Sequence, residues 1–560
     1  SNLQSITLPF IGESRTASDS NAQLGYIFGT TNFANSYTVT LLNTGYYYLP
    51  NQLEEVIITD AESIGNSAFS GCSSLTSVAI SDEVTSIGNS AFSDSASLTN
   101  INLPDNLISI GDSAFNYCTS LTTITLPANI TRIENGTFRH CTSLTSITLP
   151  EGLTNICASA FNYCSSLISV TLPNSLENIG QQAFQSCFVL RTLSIPESVT
   201  SIGQEAFSAC SRLVLYAEVK SKPDGWHSWF NFTTTHYIPI YYGVDEILEY
   251  EEMEYLIINE SITITRYMGT APALEIPTTI NGFTVACIGF NAFESCTSLT
   301  SIVIPDSINS IEPYAFSQCS NLSSVTLPTS LTFLRPYVFN RCSSLTSIAL
   351  PNDLTSVGNS AFGNCTSLTN ITLPDSVKYI ENYAFYNCLN FTSITLPEGL
   401  ISIGSYAFSR CTGVTSITLP NTLTSIGSYA FDYCTSLTNI EIPDSITTIS
   451  RGMFIGCTAL TTITLPDGLL SIGEIAFRNC TSLITIVLPN STTSIGQSAF
   501  DNCIGLKNIV IPNSVISIGS YAFDYCTSLS IYAEATSKPS NWDPKWNPLN
   551  RPVVWEYSNR

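Results

Sequence analysis

The chain has 560 residues, 44 % of them apolar and only 11 % charged, with a formal net charge of −24 and a pI of about 4.3. That balance excludes the basic stripe needed to displace counterions from nucleic acid and opposes docking on anionic lipid. No run of 18 or more apolar residues is present to span a membrane, and the scarcity of charge implies a surface built from Ser, Thr and Asn, kept soluble by its acidity.

Residues 1–9 (SNLQSITLP) match the middle of a unit that recurs along the chain, so the sequence is expected to start part-way through a repeat, as a fragment of a longer parent. Residues 10–50 form an insertion rich in Gly, Asn, Ser and aromatics (Tyr26, Phe28, Phe33, Tyr37, Tyr46, Tyr47, Tyr48). Insertions in repeat arrays gather on one face and often bind; the alternative is a small hairpin that packs its own aromatics.

Through most of its length the chain repeats every 23 residues, which makes self-similarity the first thing to establish. Phenylalanine recurs at 69, 92, 115, 138, 161, 184 and 207, then at eleven positions from 293 to 523 that include Phe293, Phe316, Phe339, Phe362, Phe385 and Phe408. Within a repeat, Leu75-x-x-Val78-x-Ile80 has the period-two pattern of a strand with alternate side chains in the core. A Pro usually follows and ends sheet pairing because it lacks an N–H. A second apolar pair, such as Val84 and Ile87, precedes a Gly that suits a tight turn with positive φ. The Ala-Phe pair then fills the wide part of the coil from a short helical or 3₁₀ turn.

Seventeen of the 19 cysteines follow the repeat phenylalanine by three residues, among them Cys296, Cys319, Cys342, Cys365, Cys388 and Cys411, and Ser95 replaces one. Stacked coils place equivalent side chains about 4.7–4.9 Å apart and parallel, whereas a disulfide needs converging Cβ atoms at about 3.5–4.5 Å. The ladder is therefore read as buried free thiols. With no CxxC pair and three His, no metal site is expected. Cys157 and Cys287 lie off the ladder.

The pattern I-G-x-x-A-F-x-x-C-x-S-L-T-x-I-x-L-P resembles the BspA-like leucine-rich repeat, the 23-residue class found in bacterial and some protist surface proteins. The resemblance implies an α/β repeat solenoid, mostly β and irregular, with one parallel β-sheet face and short helical turns. Residues 213–242 parallel 529–557, aligning Tyr216/Tyr532, Lys222/Lys538, Pro223/Pro539 and Trp226/Trp542, and resemble the C-terminal caps of that family. The expected organisation is a first array over 1–215, its cap over 216–243, a junction and new entry segment over 244–285, a second array over 286–531 and a cap over 532–560.

No GxSxG, HExxH, P-loop or dinucleotide fingerprint is present, so no catalytic residue, cofactor or metal is expected. The acidic run Asp245, Glu246, Glu249, Glu251, Glu252 and Glu254 reads as a solvated junction, with weak Ca²⁺ binding as the alternative. Two surfaces are candidates for binding. One is the polar strand face, represented by Asn370, Thr372, Thr395, Thr418, Asn439 and Glu441. The other is a column of tyrosines two residues before the phenylalanine: Tyr314, Tyr337, Tyr383, Tyr406, Tyr429 and Tyr521. Such a column is either a recognition surface or a brace for the stack. The resemblance implies an extracellular adhesion scaffold for host or matrix proteins such as fibronectin or fibrinogen. An end-to-end assembly role and, more distantly, glycan binding remain open alternatives, as does the oligomeric state.

Overall fold

The structure, a computed structural model, describes residues 3–11, 24, 36–40, 46–50, 52–232, 238–244 and 247–558. The chain divides into two compact units, Ser1–Glu246 and Ile247–Arg560. Each has its own continuous core, running from Ile11 to Ile238 in the first and from Met253 to Trp546 in the second.

Each repeat is one coil of a parallel β-solenoid. The residue pattern N-I-T or S-I-T forms a three-residue strand whose central Ile is buried while both neighbours face solvent, as in Asn370–Thr372 and Ser393–Thr395. Successive coils pair parallel with a register step of one repeat, so that Asn370 faces Ser393 and Thr372 faces Thr395. The one-sheet expectation needs enlarging, because a second ladder of two-residue strands runs along another side of the coil. There Phe333, Ser356, Tyr379, Ser402 and Ser425 stand in register. Its apolar member, such as Ile403 beside Ser402, turns into the same core. The residues that follow the strand make a turn closed through the proline, whose carbonyl accepts from the N–H three residues on, as from Leu400 to Pro397 at 3.0 Å.

The expected helical turn around Ala-Phe is absent, and no described residue is helical. Hydrogen bonding explains why. In the coil at 65–72, Ala68, Ser70 and Cys72 donate to carbonyls three residues back at 3.0–3.3 Å. The intervening Ser67, Phe69 and Gly71 donate instead to Asn89, Ala91 and Ser93 of the next coil at 2.6–2.8 Å. A helix would keep every N–H within its own turn; this alternation ties half of them to a neighbour. The geometry requires left-handed backbone at two positions per coil, here Ser67 at φ 55° and Gly71 at 73°.

Glycine after the second apolar residue has a different cause from the one expected. Gly88 and Gly427 do not have positive φ; a Cβ on either would stand 2.6 Å from the amide nitrogen of Asn66 or 2.3 Å from that of Ser405 in the preceding coil. The residue is small because two backbones touch there.

The phenylalanines are buried and form two ring stacks. Adjacent centroids lie 4.9–5.7 Å apart from Phe69 to Phe207. In the second unit the stack begins at Tyr267, 5.3 Å from Phe293, and continues through Phe316, Phe339, Phe362, Phe385 and Phe408 to Phe523. Both stacks end against an edge-on ring: Phe230 on Phe207 at 80° and Trp546 on Phe523 at 83°. Trp226 and Trp542, equivalent in the parallel segments 213–242 and 529–557, are buried and donate to the carbonyls of Val199 and Val515 at 2.9 and 3.2 Å.

All 19 cysteines are free, Cys157 and Cys287 included. The ladder thiols donate to the carbonyl of the phenylalanine in the preceding coil: Cys365 to Phe339 at 3.1 Å, Cys388 to Phe362 at 3.2 Å and Cys411 to Phe385 at 3.1 Å. Cys319 and Cys342 do the same to Phe293 and Phe316, and Cys296, which is less buried, lies 4.0 Å from the carbonyl of Tyr267. Ser95 makes the same bond to Phe69 at 2.8 Å, which explains why the substitution is accommodated. Of the insertion, Ser36–Thr40 and Tyr46–Pro50 pair as an antiparallel hairpin. Tyr26, Phe28 and Phe33 lie outside the described residues, as do the side chains of Tyr37 and Tyr46–Tyr48.

Candidate functional site

Hydrogen bonding separates the exposed polar residues of the strand face into two groups. The threonine that follows the core leucine, or Phe391 in its place, is engaged structurally: Thr369, Thr392, Thr438 and Thr461 donate through Oγ1 to the carbonyl one repeat back at 3.0–3.2 Å. The residues flanking the buried Ile are not. Among the described residues, the side chains of Thr372, Thr395, Thr418, Asn439 and Glu441 have no hydrogen-bond partner, and Asn370 reaches only Thr369, at 3.4 Å. All six are exposed, and they stand in register along parallel strands.

Thr418, Asn439 and Glu441 come together in a shallow groove of about 390 Å³, completed by Ser416, Glu398 and Asp444. An equivalent groove of about 360 Å³ in the first unit is lined by Glu55, Ser77, Asp82, Asn100 and Asn102. The carboxylates on this rim escaped the sequence reading, although their signal was periodic: the residue after the strand proline is acidic at 306, 375, 398, 444 and 467. A third groove, of about 580 Å³, lies on the turn side of the second unit between Gln318, Ser320, Arg341 and Asn364. Nothing in the repeat pattern pointed to it.

The tyrosine column is a real stack, but it is interrupted. Tyr314 and Tyr337 lie parallel at 4.5 Å, while Tyr383, Tyr406 and Tyr429 form a second run at 4.8 and 4.7 Å. Ser360 stands between the two runs. Each of these tyrosines has φ of 57–62°, because this is the first left-handed position of the coil. Stacking covers the ring faces inside a run. Burial, with the Tyr337 phenol and then Glu294 adding to it, pushes the Tyr314 hydroxyl well above the usual phenol range. Tyr406 is raised for the same first reason, then by Tyr429. Beyond Tyr429 the column stops: its hydroxyl accepts from Arg451 at 3.0 Å and its ring occupies the space a Cβ of Gly452 would need. Tyr521 stands apart, with the Lys545 ammonium 5.8 Å from its ring centre.

A second aromatic stripe was not anticipated. Tyr117, His140 and Tyr163, at the other left-handed position of the coil, stack at 4.2 and 4.7 Å. Desolvation and then Arg139 hold the His140 imidazole below its ordinary value. The acidic run is a hairpin in which Glu254 pairs with Arg266 at 3.4 Å and Glu252 accepts from Tyr267. Asp245 and Glu246 lie outside the described residues. No group of three or more His, Cys, Asp or Glu suited to a metal ion occurs among the described residues, and no helix there is long and apolar enough to cross a membrane.

No curated protein matches the chain. Among solved structures it is similar to a leucine-rich cell surface protein from Faecalibacterium prausnitzii, with 30 % identity over 65 % of this chain and 93 % of that one, at a TM-score of 0.40. It is also similar to a leucine-rich repeat protein from Bacteroides ovatus, at 22 % identity over 94 % and 99 % with a TM-score of 0.28. The pneumococcal vaccine antigen PcpA matches at 20 % over 56 % and 100 %, with a TM-score of 0.41. The family model for the BspA-type leucine-rich repeat region matches residues 40–150, 131–218, 286–415, 378–481 and 401–530, well over half of the sequence. With the 23-residue coil and its phenylalanine and cysteine ladders, those matches make this chain a member of the BspA-type leucine-rich repeat family.

Proposed function

We propose that the chain is a non-catalytic scaffold, displayed outside the cell, that recognises host or matrix proteins through the strand faces of its two units. In this reading residues 216–243 and 532–560 are caps closing the arrays, and 244–285 is the entry to the second. The observation that carries it is the division of labour among the polar side chains. The hydroxyls next to the core leucine are bonded inward to the preceding coil, whereas Thr372, Thr395, Thr418, Asn439 and Glu441 keep their hydrogen-bonding capacity for something else. A face with free donors and acceptors on rigid strands is what a protein ligand can read without first breaking internal bonds.

The test is capture from host extracellular extracts on each unit separately, followed by binding of the purified captured protein. Asn439→Arg and Glu441→Lys, both exposed and outside the core, should weaken that binding at least tenfold while leaving thermal unfolding unchanged. Retention of the same protein by both variants at unaltered affinity would place recognition elsewhere, and no retained protein on either unit would remove the proposal.

A further inference from the structure

The break in the tyrosine column has the shape of a missing ring. Ser360 occupies the position filled by Tyr337 in the coil before and by Tyr383 in the coil after, and its backbone is left-handed in the same way, at φ 51° against 60° and 57°. Two coil steps separate the flanking rings, about 9–10 Å at the spacing of parallel strands. Elsewhere in the column a ring between two neighbours lies 4.7 and 4.8 Å from them, so the gap holds one planar group. Ser360 is 7 % exposed, which puts it on the floor, and Tyr383 is 37 % exposed, as expected for a ring with one face uncovered.

The recess deepens on its inner side. Three residues on, the same coil carries Gly363, where the neighbouring coils carry Asn340 and Tyr386. Tyr386 packs edge-on to Tyr383 at 5.8 Å and closes one wall. The slot therefore combines two parallel aromatic walls with a small floor at Ser360 and Gly363.

We infer that the slot between Tyr337 and Tyr383 binds an aromatic side chain of a protein partner, the indole of tryptophan being long enough to cover Ser360 and Gly363 together. This rests on the protein-binding reading above and assigns it a specific anchor site. An indole stacks on both tyrosines and extends over Gly363, supplying the face contact that the column lacks.

The probe is N-acetyl-5-fluorotryptophan amide, followed by ¹⁹F line broadening on the full chain. Saturable broadening at millimolar concentration is expected. Ser360→Tyr should abolish it by completing the column, and because five neighbours seat tyrosine at the same φ, the variant should unfold at a higher temperature than the parent. Equal broadening with wild type and Ser360→Tyr, or stronger competition by N-acetylarginine amide than by N-acetyltryptophan amide, would overturn the inference. A Ser360→Tyr chain that is destabilised would show that no ring-sized space exists. Loss of the slot on these criteria leaves the capture experiment on the strand face unaffected, so the two can fail separately.

Discussion

At the scale of single residues, the ladder thiol is a hydrogen-bond donor inside a hydrophobic stack. Burial pushes Cys365 up to about 12, so it stays protonated and able to donate. Cys411→Ser should cost less than about 1 kcal/mol, since Ser95 already makes the equivalent bond. Cys411→Ala should cost about 1–3 kcal/mol, because the carbonyl of Phe385 then loses its buried partner. Chemical denaturation of the two variants side by side checks both. Asp432 presents the opposite case. Burial raises its carboxyl from 3.8 to about 6, opposed by Ser409 and by the Arg410 guanidinium, and one of its oxygens is unpaired. The folded state thus holds the proton more tightly than the unfolded chain, and stability is lost as pH rises from about 4 through about 6. Asp432→Asn should therefore stabilise by about 1–2 kcal/mol at pH 8 and by nothing measurable at pH 4. Melting temperatures at those two pH values decide it.

At the scale of the coil, the contacts between backbones set the tolerance to change. Gly404→Ala places a Cβ 2.5 Å from the amide nitrogen of Asn382, so a backbone must move and at least about 2 kcal/mol should be lost. Gly468→Ala is the control, because its Cβ would meet nothing nearer than 3.9 Å. Unfolding midpoints should separate the pair clearly. Phe385→Ala removes one ring from between Phe362 and Phe408 and should cost about 3–5 kcal/mol. In a stacked array each coil contacts only its neighbours. The loss should therefore appear first as faster amide exchange in the coils beside 385, before the ends of the unit are affected.

At the scale of the whole molecule, two separate cores imply two separate folding units. Chains ending at Glu246 and starting at Ile247 should each unfold cooperatively, with no thiol–disulfide contribution. Reductant should leave both melting temperatures unchanged, and the buried ladder thiols should react with an aromatic disulfide reagent only as fast as the coils open. Prompt reaction of most thiols in the native state would contradict the burial described above.

Periodicity made the spine legible. A 23-residue recurrence of Phe, Cys, Leu and Ile can bury those side chains only if equivalent atoms stack, so the ring ladder, the free thiols and the exposed strand residues all follow from spacing. The sequence could not distinguish a glycine needed for positive φ from one needed for backbone contact, because both require the same missing Cβ. Nor could it rule out a helical turn, since the alternation of hydrogen bonds at 65–72 depends on the coil that follows. The candidate sites divide the same way. Thr418, Asn439 and Glu441 were marked by alternation alone, whereas the groove they share with Glu398 and Asp444, and the vacancy at Ser360, exist only once residues a full repeat apart are brought within one strand spacing of each other.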